Sequence, residues 1–167
     1  FSLLDQRANH GMLALCQAYG VKVLAFGTLA GGFLSNKWLH QPEPDINKLA
    51  TWSQMKYKRF IDQTGSWDNF QELLQTIHEI ALAKDVSIAN IASRYIMEQE
   101  GVGGVVIGAR PGKSEHVASN LRLYDLQLAD AEKATISKAL TTLKPIPGDC
   151  GDEYRKPPFL TASGDLS

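Results

Sequence analysis

Cysteine is nearly absent: Cys16 and Cys150 are the only two in 167 residues. They are too few and too far apart for a metal-ligand spacing or a disulfide framework, so no metal is expected and a free-thiol, cytoplasmic setting is the default. Charge of one sign is nowhere concentrated. Lys and Arg total 17 against 18 Asp and Glu, interspersed along the chain, which excludes the electrostatic footprint of a nucleic-acid or anionic-membrane binder. Long apolar runs are missing too. The longest, residues 21–26 and 102–109, fall far short of the roughly 20 residues that cross a bilayer. No Gly-x-Gly-x-x-Gly follows a strand, and the stretch from Gly31-Gly32 to Lys37 lacks the Gly-Lys-Ser/Thr ending of a P-loop. A Rossmann domain and a nucleoside triphosphatase are therefore disfavoured. The first residues, Phe1-Ser2-Leu3-Leu4-Asp5-Gln6-Arg7, carry neither an initiating Met nor a secretory signal, and the expectation is that they continue a longer polypeptide.

What is present suits one globular domain, since 44% of residues are apolar. Residues 9–19 read as a helix with Met12, Leu15, Cys16 and Tyr19 at helical spacing, ending at Gly20. A strand is predicted over residues 21–26, followed by a glycine-bearing loop, Gly27-Thr28-Leu29-Ala30-Gly31-Gly32. Residues 45–62 suggest a polar helix. Residues 68–84 suggest a stronger one, with Phe70, Leu73, Leu74, Ile77 and Ala81 in a stripe and Asp68 with Gln71 as a capping box. Ser87 is placed to cap a further helix that buries Ile88, Ile91, Ala92, Tyr95 and Ile96. Gly101, Gly103 and Gly104 end it before a second strand, Val105-Val106-Ile107. The loop Gly108-Ala109-Arg110-Pro111-Gly112-Lys113 leads to a helix capped by Ser114, and Asp130 opens a last helix reaching Leu143. Residues 145–167, rich in Pro and Gly, are expected to form an irregular tail beyond the domain of residues 1–144.

Helices alternating with strands are the grammar of a parallel α/β sheet. Two strands cannot satisfy such a sheet, whose members are buried on both faces. The remaining strands are expected elsewhere.

Both strands end in a glycine followed by small or basic residues, and the second loop opens a helix whose N-terminal donors attract anions. Arg110 and Lys113 add two charges there. In eight-stranded α/β barrels, phosphates sit in the loops after the last two strands, a position this pair would suit. A tight turn beside solvated cations is the plainer alternative.

At these residues the sequence resembles the aldo-keto reductases. Phe1 to Arg7 look like the segment after the family's sixth strand, Val23 to Leu34 like its seventh strand and loop. Val106-Ile107-Gly108-Ala109-Arg110, continuing to His116 and Asn120, look like its eighth strand and adenosine-phosphate loop, and Leu128 to Glu132 like its closing helix. The resemblance implies an α/β fold, the mostly helical C-terminal portion of a (β/α)8 TIM barrel with few parallel strands, and NADP as cofactor. It implies that Phe26, where Tyr or Trp is usual, stacks on the nicotinamide. Gly27, Thr28 (in place of the usual Pro), Leu29, Gly31 and Lys37 would line the pyrophosphate, with Arg59 as a further contact. Gly108, Ala109, Arg110, Lys113 and His116 would form the 2′-phosphate loop, and Asn120 would meet the adenine edge.

Family chemistry is hydride transfer between the nicotinamide and a carbonyl, with a Tyr supplying the proton and a Lys, an Asp and a His tuning it. None of those four is carried over to this sequence. Tyr57 beside Lys58 is a tempting pair, but helix neighbours point different ways, and both are expected to be solvated or cofactor-adjacent. His78 is expected to be a satisfied helix residue, and the acidic tail around Asp149 to Glu153 a surface loop. The resemblance implies that an aldehyde or ketone is the substrate and that the catalytic residues lie upstream. The alternative is a noncatalytic half-barrel module that binds nucleotide or assembles, pairing with itself or with a separate N-terminal half.

Overall fold

The computed structural model describes residues 1–109, 112 and 115–155. Expectations that rest on Arg110, Pro111, Lys113, Ser114 and the tail after Arg155 fall outside the described residues.

Two strands, β1 (Val23–Phe26) and β2 (Val102–Val106), pair in parallel. Helix α1 (Met12–Ala18) precedes β1; α2 (Trp52–Thr64), α3 (Trp67–Ala83) and α4 (Ile88–Met97) lie between the strands; α5 (Val117–Leu121) and α6 (Asp130–Leu140) follow β2. Parallel pairing through a helical crossover is what the alternating pattern requires. Its register sets Phe26 opposite Val106, so both strands release their next loops at the same end.

The core is carried by α3 and α4. In α3, Phe70, Leu73, Leu74, Ile77 and Ala81 are all buried, the helical stripe made physical. Its cap, however, is Ser66, two residues before Asp68. The Ser66 hydroxyl accepts from the Asn69 N–H at 3.2 Å and the Asn69 carbonyl oxygen accepts from the Ser66 N–H at 3.1 Å. Ser87 and Asn90 repeat that reciprocal pair at the start of α4, and Ile88, Ile91, Ala92 and Ile96 are wholly buried behind it. Leu128 and Ile136 close the far side, where Glu98 binds Arg94 at 2.6 Å and the Leu128 N–H at 3.1 Å.

Several elements depart from the sequence expectation. The long helix over 45–62 is a 3-10 turn at Ile46–Lys48, capped by Asp45, followed by α2 starting six residues after Ile46, at Trp52 under a Thr51 cap. Capping side chains offered local hydrogen bonds that compete with a continuous helix. Strand β2 begins at Val102, so Gly103 and Gly104 lie inside it. A Cβ on Gly103 would stand 2.8 Å from Lys22 Cβ, and its glycine permits that approach. In α1, Leu13 is the buried position; Met12, Leu15 and Tyr19 are exposed. The helix that follows the second loop is the short α5, with His116 at its N-cap position and no side-chain cap bond.

Ala25 joins the core, whereas Leu24, Phe26 and Val106 are exposed, Leu24 at 66%. An apolar sheet surface of this kind is ordinarily covered. No helix among the described residues is long and apolar enough to cross a membrane.

Residues 145–155 are more than a surface loop. Arg7, 3% exposed, donates to Asp5 at 2.8 Å, to Glu153 at 2.8 Å and to the Asp149 carbonyl at 2.8 Å. This ties the C-terminal segment across the fold to the residues before α1. Burial works to raise the Asp5 carboxyl, but the hydrogen bonds and charge of Arg7 outweigh it and hold the group below the usual aspartate range. Ile146, Asp152 and Glu153 are buried. Glu153 and Asp152 are thus ion-pair partners, of Arg7 and Arg155 respectively, and among the described residues no group of His, Cys, Asp and Glu is arranged to hold a metal.

Candidate functional site

Because β1 and β2 end in register, the loop after Phe26 and the loop after Val106 emerge side by side. Both then converge on the first turn of α4. The Asn36 side-chain Oδ1 accepts from the Ile88 N–H at 3.0 Å, and the buried Asn90 side-chain amide donates to the Ser119 backbone carbonyl at 2.8 Å. Asn36 precedes Lys37 and Ser119 precedes Asn120, so α4 holds the two candidate segments to one site. Between them lies an open cleft of 480 Å³ lined by Asn36, Ser87, Asn90, Ala118, Ser119 and Arg122.

The first loop is built tightly. Thr28 is buried and its hydroxyl lies 3.2 Å from that of Ser93 on α4. Gly27 and Gly31 take φ of +69° and +64°, and Ala30 between them, fully buried, takes +48°. Left-handed backbone is open to glycine and strained for alanine. The glycines also answer a contact. A Cβ on Gly27 would stand 2.1 Å from the Tyr57 hydroxyl, and one on Gly31 would stand 2.9 Å from the Tyr57 ring. Tyr57 and Lys58 are therefore not solvated. Tyr57 is buried against this loop, and Lys58 is buried in ion pairs with Glu43 at 2.6 Å and with Asp62.

Leu29 is half-buried and packs on the core. Lys37 is exposed, its ammonium 5.5 Å from the Trp38 ring centroid, with no carboxylate partner among the described residues. Phe26 presents its ring on the open sheet face, 57% exposed. Arg59 is exposed on α2. In the second loop Gly108, Ala109 and His116 are exposed. Asn120 is half-buried and lines a second cleft of 430 Å³ with Ile107, Val117, Leu121 and Tyr124.

Sequence reasoning missed Asn36, Asn90 and Ser93, which hold the loops in place together with Tyr57, a residue expected to be solvated or cofactor-adjacent. Asn90 carries a signal that could have been read, since an Asn three residues after Ser87 completes a reciprocal cap. The others have none, because their partners are remote in sequence. His78 also differs from expectation: its Nδ1 is buried with no hydrogen-bond partner among the described residues.

The sequence model of the Aldo/keto reductase family matches residues 1–141. Among characterised proteins, flagellar radial spoke protein 5 of Chlamydomonas reinhardtii is 34% identical over 91 residues, covering 53% of this chain and 17% of that protein. Among solved structures, a glycerol dehydrogenase from Gluconobacter oxydans superposes with a TM-score of 0.68 at 19% identity, covering 90% of this chain and 43% of its own. A thermostable aldo-keto reductase in complex with the inhibitor epalrestat gives 0.54 at 18% identity, covering 83% and 37%. The chain spans less than half the length of each of these relatives, and the structural likeness carries the fold.

Proposed function

Since the chain belongs to the aldo/keto reductase family, we propose that it is the NADP(H)-holding, C-terminal part of a (β/α)8 reductase that moves hydride between the nicotinamide and an aldehyde or ketone. The observation that carries this reading is the convergence of the two loops after β1 and β2, fastened together by Asn36 and Asn90 at α4. The residues fit a dinucleotide. Phe26 offers an exposed aromatic face, Tyr57 packs against Gly27 and Gly31 and fixes the loop's backbone, and Lys37 supplies a cation that has no carboxylate partner among the described residues. Asn120 borders a cleft large enough to admit a flat ring. Arg110 and Lys113 are proposed to meet the 2′-phosphate, with Gly108, Ala109 and His116 flanking them and Arg59 as an outer contact. When bound, the nicotinamide supplies the hydride; these residues bind and orient it.

The exposed Leu24 and Val106 are proposed to be the inner wall of the barrel, covered by strands encoded upstream, where the Tyr, Lys, Asp and His of the reaction are also proposed to lie. Exposed Leu15 and Tyr19 on α1 are proposed to be covered by the same half.

NADPH fluorescence titration of the intact polypeptide tests the reading. A charge-assisted hydrogen bond contributes about 1.5–3 kcal/mol, so Arg110→Ala is expected to weaken NADPH roughly 10- to 100-fold while leaving NADH nearly unchanged. Equal NADPH affinity in the variant removes Arg110 from the site, and no binding by the unaltered protein removes the reading itself.

A further inference from the structure

The C-terminal segment and the loop after β1 are joined by a continuous stack of side chains. Tyr154 lies in the 3-10 turn Asp152–Tyr154, which Arg7 fastens through Glu153 and the Asp149 carbonyl. Its hydroxyl accepts a 2.6 Å hydrogen bond from the Lys56 ammonium. That ammonium sits 4.9 Å from the centroid of the Tyr154 ring and 4.5 Å from that of Tyr57, and Lys56 is 9% exposed. A buried ammonium ordinarily has a carboxylate partner; among the described residues Lys56 has none within ion-pairing distance and is held between the Tyr57 ring and the Tyr154 hydroxyl. Burial pulls its affinity for the proton down, yet the phenols of Tyr57 and Tyr154 and the charge of Glu153 outweigh this, so the group keeps its charge near neutrality. Burial likewise raises the Tyr57 phenol, against the opposing pull of Lys56, and it stays protonated. The other side of Tyr57 fills the space over Gly27 and Gly31, and Ala30 between them is strained. Such a backbone persists only where its surroundings impose it.

We propose that Lys56 and Tyr154 are positioning residues for the dinucleotide: the C-terminal segment fixes loop 27–32 through the Tyr154–Lys56–Tyr57 stack, and so sets the affinity for the pyrophosphate. This rests on the NADP(H)-binding reading above. The two ends are one packed unit, so their coupling is reciprocal: whatever the segment does for the cofactor, the cofactor does for the segment.

The test uses the intact polypeptide and NADPH. Lys56→Met keeps the stem and removes the charge; Tyr154→Phe keeps the ring and removes the acceptor oxygen. Each is expected to raise the NADPH Kd by about 5- to 20-fold, in the usual range of coupling between sites, and the double variant is expected to be no worse than the weaker-binding single one. In the unaltered protein, NADPH is expected to slow amide exchange over residues 149–155, and in Tyr154→Phe that protection is lost. A merely structural role would lower the melting temperature and leave both readouts unmoved. Should Lys56→Met fail to fold, Tyr154→Phe carries the test. Unchanged NADPH affinity in Tyr154→Phe, with tail exchange indifferent to NADPH in the unaltered protein, overturns the proposal. Absence of NADPH binding in the unaltered protein overturns the parent reading instead, so the two failures are distinguishable.

Discussion

Replacing Arg7 by alanine is expected to destabilise the fold by about 3–5 kcal/mol, the usual result of removing one partner from a buried ionic network. The guanidinium is 1% exposed in its side chain and holds Asp5, Glu153 and the Asp149 carbonyl together while lying 5.4 Å from the centroid of the Phe60 ring. Its loss deprives the buried carboxylates of Asp5 and Glu153 of the guanidinium they share. Arg7→Lys is expected to recover little, because an ammonium is a point charge and cannot serve three acceptors in a plane. The same network has a pH signature. Asp5 is held below its ordinary range in the folded state, so its contribution is fully present near neutrality and is lost as pH falls through the folded value, below about pH 4. Denaturant unfolding of the intact protein from pH 7 to pH 3 checks both points. The variant is expected to be weaker at neutrality and to have a flatter acid limb, and a midpoint like that of the unaltered protein would contradict the account.

The second large effect belongs to Phe33, which ends the loop after β1 and is wholly buried. Its ring lies 4.7 Å from Trp38, 6.1 Å from Trp67 and 6.3 Å from Phe70, the last two edge-on. Truncating a core aromatic costs about 3–5 kcal/mol in transfer and cavity terms, and the edge-on contacts add to it. Its backbone also matters: Phe33 and Leu34 donate to the carbonyls of Ala30 and Leu29 at 3.2 and 3.1 Å. Phe33→Ala is therefore expected to lower the unfolding midpoint and weaken NADPH together, whereas Phe33→Leu, with most of the volume retained, loses less of each. Thermal unfolding monitored alongside NADPH titration checks this. A destabilised variant with unaltered NADPH affinity would show that the aromatic cluster does not support the loop.

The sequence was most legible where one local rule decided the outcome. The stripes of α3 and α4 and the Ser87 cap depend on spacing within a single helix, and they stand in the structure. The parallel order of β1 and β2 followed from helices separating the strands. Where distant partners decided, reading failed. Gly103 and Gly104 looked like helix terminators, yet Lys22, on the segment entering the neighbouring strand, packs close enough to require a glycine in β2. Tyr57 and Lys58 read as solvated or cofactor-adjacent, and their burial was not legible because the partners that bury them, Gly27, Gly31 and Glu43, lie in loops upstream. The acidic residues after Pro147 read as a surface loop because Arg7 stands at the opposite end of the sequence. Met12, Leu15 and Tyr19 keep their helical spacing while facing outward; periodicity reports an apolar face without saying what covers it. Of the site, the loops themselves were readable from glycine and basic residues, and the side chains that fix them were not.

Amide hydrogen exchange of the intact polypeptide, with and without NADP+, tests the central claim most directly. One dinucleotide spanning the ends of β1 and β2 predicts slowed exchange in residues 27–37 and in residues 108–120 together, saturating at a single concentration. Protection confined to one of the two loops, or exchange unaltered in both at millimolar NADP+, would contradict it.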